Sequence, residues 1–353
     1  MPIKSNLTGD IPILKKLKPL FKDVSILILN DSNDATDDLI DQYIAESGPF
    51  YKIFSSFFAK LDSRHNIVCF PWALYLTTKD VAATVDLNTP ATVHTDYCFN
   101  FMANRKRVNR FLMMKIIEWF GLTNMNYTWS GADLNFDLTN IIQEMNSIES
   151  PVWPDEFRAF VLAPVSIPKK WIDVPGDTLV TPTHIRPVNN KSVWHAGLDQ
   201  MFSTTAVSLI SESIDYQSGV GYTEKTAFAV LGRTFPIWVG GKYQAEQFAK
   251  LGYDTFDDVI DHSYQYRDTL IERCYHAIAD NLHMLTDLAY ATNLRNSMLT
   301  RLTHNRQALL TDCLDTNSMG CKLQPFLEDP TRPGYIEQLA REVVKRLKLN
   351  DSI

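Results

Sequence analysis

Two short stretches carry side chains whose types and spacing could do chemistry. The first is Asn-Arg-Lys-Arg-Val-Asn-Arg, from Asn104 to Arg110, in which four of seven residues are cationic. It joins an apolar, aromatic run to a helical pattern. The N–H groups at a helix start favour an anion, and Arg or Lys placed there adds fixed positive charge. Cations at that end oppose the helix dipole, a cost that a bound phosphate would offset. An isolated run of this kind is also the ordinary pattern of a solvated surface. The second stretch is Tyr222-Thr223-Glu224-Lys225, which follows Gly219 and Gly221. Thr223 is a good N-cap, and Glu224 in the first turn suits the dipole. Lys225 does not. A carboxylate here can accept both hydroxyls of a ribose, and a lysine can meet a diphosphate as a point charge. Capping alone accounts for Thr223 and Glu224 and leaves Lys225 unexplained.

The elements that must position these residues alternate. Val24 to Asp31 reads as a strand buried on both faces, followed by an acidic loop with Asp31, Asp34, Asp37 and Asp38. A helical pattern runs through Tyr43 and, after Gly48, through Phe54, Phe57 and Phe58. A further strand around Ile67–Phe70 breaks at Pro71 into a helix or a domain crossover. Thr95–Ala103 reads as a buried strand, and Val108, Phe111, Leu112, Ile116 and Phe120 recur at helical spacing up to a stop at Gly121. Residues 128–192, rich in proline and aromatics, read as short helices and loops. A short helix then precedes a strand at Ala206–Ile210, and a helix at Glu224–Leu231 leads to a strand at Phe235–Val239. Beyond these, the pattern predicts a helix ending near Gly252, an Asp-capped helix after it, and one long helical stretch over about 266–310. An amphipathic C-terminal helix carries Ile336, Leu339, Val343 and Leu347. The alternation of strand and helix predicts an α/β layer structure with parallel strands.

A length of 353 residues favours two domains. The composition, 45% hydrophobic and 21% charged, is that of a globular chain. Lys and Arg total 34 against 41 Asp and Glu, a net of −7, which speaks against a polyanionic partner without excluding a local basic groove. The five cysteines form no close pair, which predicts reduced thiols and neither a disulfide scaffold nor a zinc site. The first twenty residues lack a continuous apolar segment of the signal-peptide kind, and no run approaches the roughly 20 apolar residues of a membrane helix. These features lead to the expectation of a soluble cytoplasmic protein. Walker A, GxGxxG, HExxH, GxSxG and Asp-x-Asp patterns are all absent from the sequence.

Taken together, the block from Tyr97 to Leu122 and the block from Ser208 to Gly241 resemble the donor-domain signature of the α1,3-fucosyltransferase-like glycosyltransferases. They are more similar still to related phage, viral and bacterial glycosyltransferases without an assigned substrate. Arg110, Glu212, Thr223, Glu224, Lys225, Pro236 and Gly240 fall on that signature. Ser-Glu-Ser replaces its usual Glu-Asn-Ser, Tyr222 precedes the threonine where a β-branched residue is common, and Asn109 stands where relatives often have His. The resemblance therefore implies no particular sugar. It implies a GT-B fold, in which two Rossmann-like domains face each other across a cleft: residues 1–94 as acceptor domain, 95–330 as donor domain, and 331–353 as a C-terminal helix. It also implies a transferase that uses a nucleotide-diphosphate sugar, needs no metal or other cofactor, and acts in the cytoplasm of a bacterium or an infected host cell. Arg105, Arg110 and Lys225 would meet the diphosphate, Glu224 the ribose, and Tyr222, with Thr223 and Glu212, the nucleotide. An inverting reaction would need a base, for which Asp31 and Asp34 are the candidates. The acceptor would be a glycan or polysaccharide hydroxyl. Two alternatives stay open: transfer to a hydroxylated base in phage-type DNA, and a non-catalytic nucleotide-binding or scaffold protein.

Overall fold

The computed structural model describes residues 26–29, 41, 45, 52–55, 57–58, 67–69, 72–82, 85, 91–103, 107–129, 137–149, 151–170, 194–212 and 220–314. Strands β1 (Ile26–Leu29), β2 (Lys52–Ser55), β3 (Phe57–Phe58) and β4 (Ile67–Cys69) come first, followed by helix α1 (Trp72–Ala82). β1, β2 and β4 form a parallel sheet in that order. The helical pattern expected through Phe54, Phe57 and Phe58 is thus replaced by two strands. An apolar run this short fits either periodicity, and here pairing decides it, of β2 with β1 and β4 and of β3 with Val220–Gly221.

The second sheet is built from β5 (Tyr97–Ala103), helix α2 (Val108–Trp119) and β6 (Met125–Trp129). Helices α3 (Thr139–Ser147), α4 (Asp155–Leu162) and α5 (Asp199–Ser203) then lead to β7 (Thr205–Ser211). The short β8 (Val220–Gly221), helix α6 (Glu224–Leu231), β9 (Phe235–Val239) and helix α7 (Gln244–Lys250) follow. The strand order is β6-β5-β7-β9, all parallel. Successive side chains alternate between two cores. Phe99, Phe101, Val207, Leu209, Phe235 and Ile237 pack with Phe111, Leu112 and Ile116 of α2. Met102, Ile210 and Trp238 pack with Ala227, Phe228 and Leu231 of α6 on the opposite face. Burial on both faces explains why these strands read as continuous apolar runs. The α/β class expected from the sequence is the one observed.

Around the sheets, α1 stands apart from its place in the chain. Its Leu74, Val81 and Ala82 are buried in the same cluster as α6 and as Leu309 and Leu310. A boundary at residue 94 would assign this helix to the first sheet, yet its buried face belongs with the second. The long helix expected over 266–310 is broken into α8 (Leu270–Ala279), α9 (Leu282–Thr286), α10 (Leu288–Ser297) and α11 (Leu299–Leu314), after a 3₁₀ turn at Ser263–Tyr266. Caps set the starts of α8 and α10. Thr269 and Glu272 form a reciprocal capping box, and the Asp287 carboxylate accepts the Tyr290 N–H. The Asp-capped helix expected after Gly252 is instead a run of turns. Phe256 takes a left-handed φ of 61° there, and Arg301 holds Asp254 and Asp258 at 2.6 and 2.7 Å. The C-terminal amphipathic helix falls outside the described residues. Among those described, no helix is long and apolar enough to cross a membrane.

One buried arginine ties the start of the second sheet to its far side. Arg295 is fully buried and donates from Nε to the Arg233 carbonyl at 3.0 Å, from Nη2 to Gly232 at 2.8 Å and from Nη1 to His94 at 3.1 Å. Burial, with Arg233 nearby, pulls its guanidinium down to about 9, which leaves it cationic at neutral pH. Gly232 sits at this junction with no room for a side chain. A Cβ there would lie 2.5 Å from Phe202 Cβ and 2.9 Å from the Phe202 carbonyl carbon. Gly232→Ala is therefore expected to cost about 2 kcal/mol of unfolding free energy through overpacking, measured by urea denaturation. Wild-type stability in that variant would show that the backbone yields.

Candidate functional site

The order β6-β5-β7-β9 means that the chain winds outward in both directions from the β5–β7 pair. In open parallel sheets, the crevice at such a reversal, beyond the carboxyl ends of the strands, is where ligands bind. Here β5 ends at Ala103 and β7 at Ser211. The two stretches of chemical interest converge on that edge.

Glu212, directly after β7, is fully buried. Its Oε1 accepts the Thr223 N–H at 3.0 Å and the Thr226 hydroxyl at 2.7 Å, and its Oε2 accepts the Thr223 hydroxyl. Its backbone carbonyl accepts Asn109 Nδ2 at 2.9 Å, while Asn109 Oδ1 accepts the Arg110 N–H at 2.9 Å. A single residue therefore fixes the strand end, the start of α6 and the start of α2. Burial pushes the Glu212 carboxyl above its ordinary range, while Lys225 and the three donors pull against that rise.

Thr223 is the N-cap of α6, as its type and place predict. Its Oγ1 accepts the Lys225 N–H at 3.4 Å and Lys225 Nζ at 3.2 Å. Lys225 is 5% exposed, and its Nζ also donates to Glu224 Oε1 at 2.8 Å. The cation that did not suit the dipole is thus folded back onto the neighbouring carboxylate. Two of its three N–H groups have partners among the described residues. Burial would raise the Glu224 carboxyl, but Lys225, its hydrogen bonds and Arg110 outweigh this and bring it to about 2. Arg110 is 2% exposed and close enough for its charge to act on Glu224. At 37% exposure the Glu224 side chain is the member of this cluster that faces water. The start of α2 adds to the same crevice. Arg107 holds the N-cap position without a side-chain cap bond, and the first turn has no acidic residue.

The structure moves two expected contacts. Tyr222, expected against a nucleotide, is 1% exposed, its ring among Trp238 and Phe248 and its hydroxyl donating to the Gln244 carbonyl. It has no surface to offer a base and acts as an anchor for the loop. Glu212 likewise positions other groups and shows none of its own surface. Asp31, Asp34 and Arg105 lie outside the described residues. Thr226, which also accepts Trp238 Nε1 at 3.0 Å, was not foreseen. Its spacing of three from Thr223 places both on one side of the first helical turn, a signal available in the sequence. Among the described residues, no three or more His, Cys, Asp or Glu are gathered as a metal site.

No protein-family model, no curated protein and no solved structure matches the chain.

Two carboxylates shifted in opposite directions make the site's stability depend on pH. Glu224, lowered from 4.5 to about 2, contributes stability that is complete above 4.5 and lost as pH falls towards about 2. Glu224→Gln is expected to flatten that acid limb in urea unfolding measured across this range, and an unchanged limb would disprove the pairing. Glu212→Ala should cost about 3 kcal/mol, because the Thr223 N–H and two threonine hydroxyls lose their acceptor inside the protein.

Proposed function

We propose that the crevice between β5 and β7 binds a nucleoside-diphosphate sugar and that the protein is a glycosyltransferase. The observation that carries this reading is the meeting of Arg110, Glu224 and Lys225 at the carboxyl ends of two parallel strands, at the point where strand order reverses. The chemistry follows from the charge that each group brings to the crevice. The Glu224 carboxylate, ionised and on a side chain 37% exposed, accepts the paired hydroxyls of a ribose. Phosphate oxygens lie at the uncapped start of α2, where the helix N–H groups and the Arg107 and Arg110 side chains supply positive charge. The remaining N–H of Lys225 reaches the same anion. As the sugar leaves, charge accumulates on the diphosphate, and fixed donors already in place stabilise that change most. No divalent metal is required for this arrangement, because guanidinium, ammonium and helix end meet the charge.

The resemblance to α1,3-fucosyltransferase-like enzymes supports the same reading and suggests the GT-B arrangement. One backbone contact is compatible with it: β3, just beyond the carboxyl end of β2 in the first sheet, pairs antiparallel with β8, two residues before Thr223. In that arrangement Asp31 and Asp34, just past the carboxyl end of β1, are the candidates to take a proton from a glycan hydroxyl in an inverting transfer.

Thermal unfolding with UDP, GDP, CDP and dTDP and their sugars, with and without EDTA, tests the reading directly. At least one is expected to raise the melting temperature in both conditions. Glu224→Gln is expected to weaken that ligand about tenfold, the worth of a hydrogen bond to a charged group, when binding is titrated well below the lowered melting temperature that loss of the Lys225 ion pair gives the variant. Stabilisation by none of these compounds would end the proposal.

A further inference from the structure

Beside the crevice, the same edge of the sheet carries a feature that the charged cluster does not use. After β9 the chain runs through Gly240, Gly241 and Lys242 to Tyr243. Tyr243 adopts a left-handed conformation, φ 66° and ψ 20°, although two glycines stand just before it. A bulky residue in this region is an outlier, and such strain collects at ligand-binding positions. The Tyr243 ring meets that of Tyr266, centroids 5.2 Å apart and planes at 71°. Tyr266 is 55% exposed. An edge-to-face contact covers at most one face of a ring, so Tyr266 keeps a face open to solvent.

The frame beneath this pair is tied in several places. Lys242 Nζ lies 2.7 Å from Asp268 Oδ1. The buried Arg273 donates from Nε to the Gly240 carbonyl at 2.9 Å and from Nη1 to the Arg267 and Asp268 carbonyls, each at 3.0 Å. The Ala245 N–H donates to Gln265 Oε1 at 3.0 Å. These ties hold the loop of Tyr243 to the turn of Tyr266. The same loop is joined to the one that presents Glu224 and Lys225, since Gln244 takes the Tyr222 hydroxyl on its carbonyl and donates from Nε2 to the Gly221 carbonyl at 3.4 Å. The two rings are thus pre-set on the rim of the crevice, so little ordering remains to be done when a ligand arrives.

We infer that Tyr243 and Tyr266 form a stacking platform for the planar base of the nucleoside diphosphate whose phosphates occupy the neighbouring crevice. The inference rests on the nucleotide reading above and adds the part of the ligand that the charged cluster leaves without a contact. A base offers a flat π-face, stacking on tyrosine tolerates any of the common bases, and the platform is continuous with the loop beside the diphosphate. The strained backbone holds the Tyr243 ring against Tyr266, where a glycine would hold nothing.

Calorimetric titration of the full chain separates this inference from the one beneath it. Wild type, Tyr266→Ala and Tyr266→Phe are titrated with UDP, GDP, CDP, dTDP and inorganic pyrophosphate. The tightest nucleoside diphosphate is expected to bind Tyr266→Ala about tenfold more weakly and Tyr266→Phe within about twofold of wild type, with pyrophosphate affinity the same in all three. Equal affinity of wild type and Tyr266→Ala for that nucleoside diphosphate would overturn the platform and leave the nucleotide site standing, with the rings then free to serve an acceptor sugar. A parallel loss for pyrophosphate would also overturn it, since the substitution would then be distorting the crevice. Failure of wild type to bind any of the four nucleotides would remove the nucleotide reading, and the platform with it.

Discussion

The Glu212 carboxylate, shut away from water, is the point to which the second sheet's functional edge is fastened. Carboxyl groups avoid such places because desolvating the charged form is costly, and one persists there only when donors surround it. Here a backbone N–H and two hydroxyls do so, all from the first turn of α6 or its cap. The same residue's carbonyl takes Asn109 from α2. Strand end, helix cap and the neighbouring helix therefore share one acceptor. The positions of Arg110, Glu224 and Lys225 follow from this attachment, because each is within two residues of a group that Glu212 holds. The cluster exists as a cluster only because a residue that shows no surface gathers it.

A second kind of polar interior supports the edge from further away. Arg295 and Arg273 are buried cations whose described hydrogen bonds run mostly to backbone carbonyls: Gly232, Arg233 and His94 for one, Gly240, Arg267 and Asp268 for the other. A guanidinium has five N–H groups in a rigid fork, so it satisfies carbonyls that turns leave without a ladder partner. The turns before and after β9 are each closed in this way. That keeps β9, and with it the Gly240–Tyr243 loop, in a fixed relation to the crevice.

Much of the second sheet was legible in the sequence, since its signals are local and strong. The helix Glu224–Leu231 and the strand Phe235–Val239 coincide with the sequence reading. The helix after Arg107 stops at a glycine with φ 62°, as its pattern implies. The elements that escaped are those decided at a distance. Lys52–Ser55 and Phe57–Phe58 are strands because of their partners, and Met125–Trp129 is a five-residue strand whose pairing with β5 has no local signature. Part of the break-up of residues 266–310 was written in Thr269, Glu272 and Asp287, caps that a helical periodicity overrides when it is read alone. At the site, residue types were readable and exposure was not. Thr223 announces its cap, yet nothing local says that Tyr222 turns inward or that Lys225 folds back onto Glu224. Burial is a property of the packed molecule, so roles that depend on it emerge only with the fold.

The pairing of Phe57–Phe58 with Val220–Gly221 and the docking of Trp72–Ala82 onto α6 together make the charged cluster non-portable. Every residue of the cluster lies after position 107, so a fragment starting at the second sheet would carry the full set of charges. It would nevertheless lack the strand that steadies the approach to Thr223 and the helix that covers the outer side of α6. Modularity in this chain is thus a matter of backbone and packing, and a graft that transfers the chemistry must also bring along segments with no chemistry of their own.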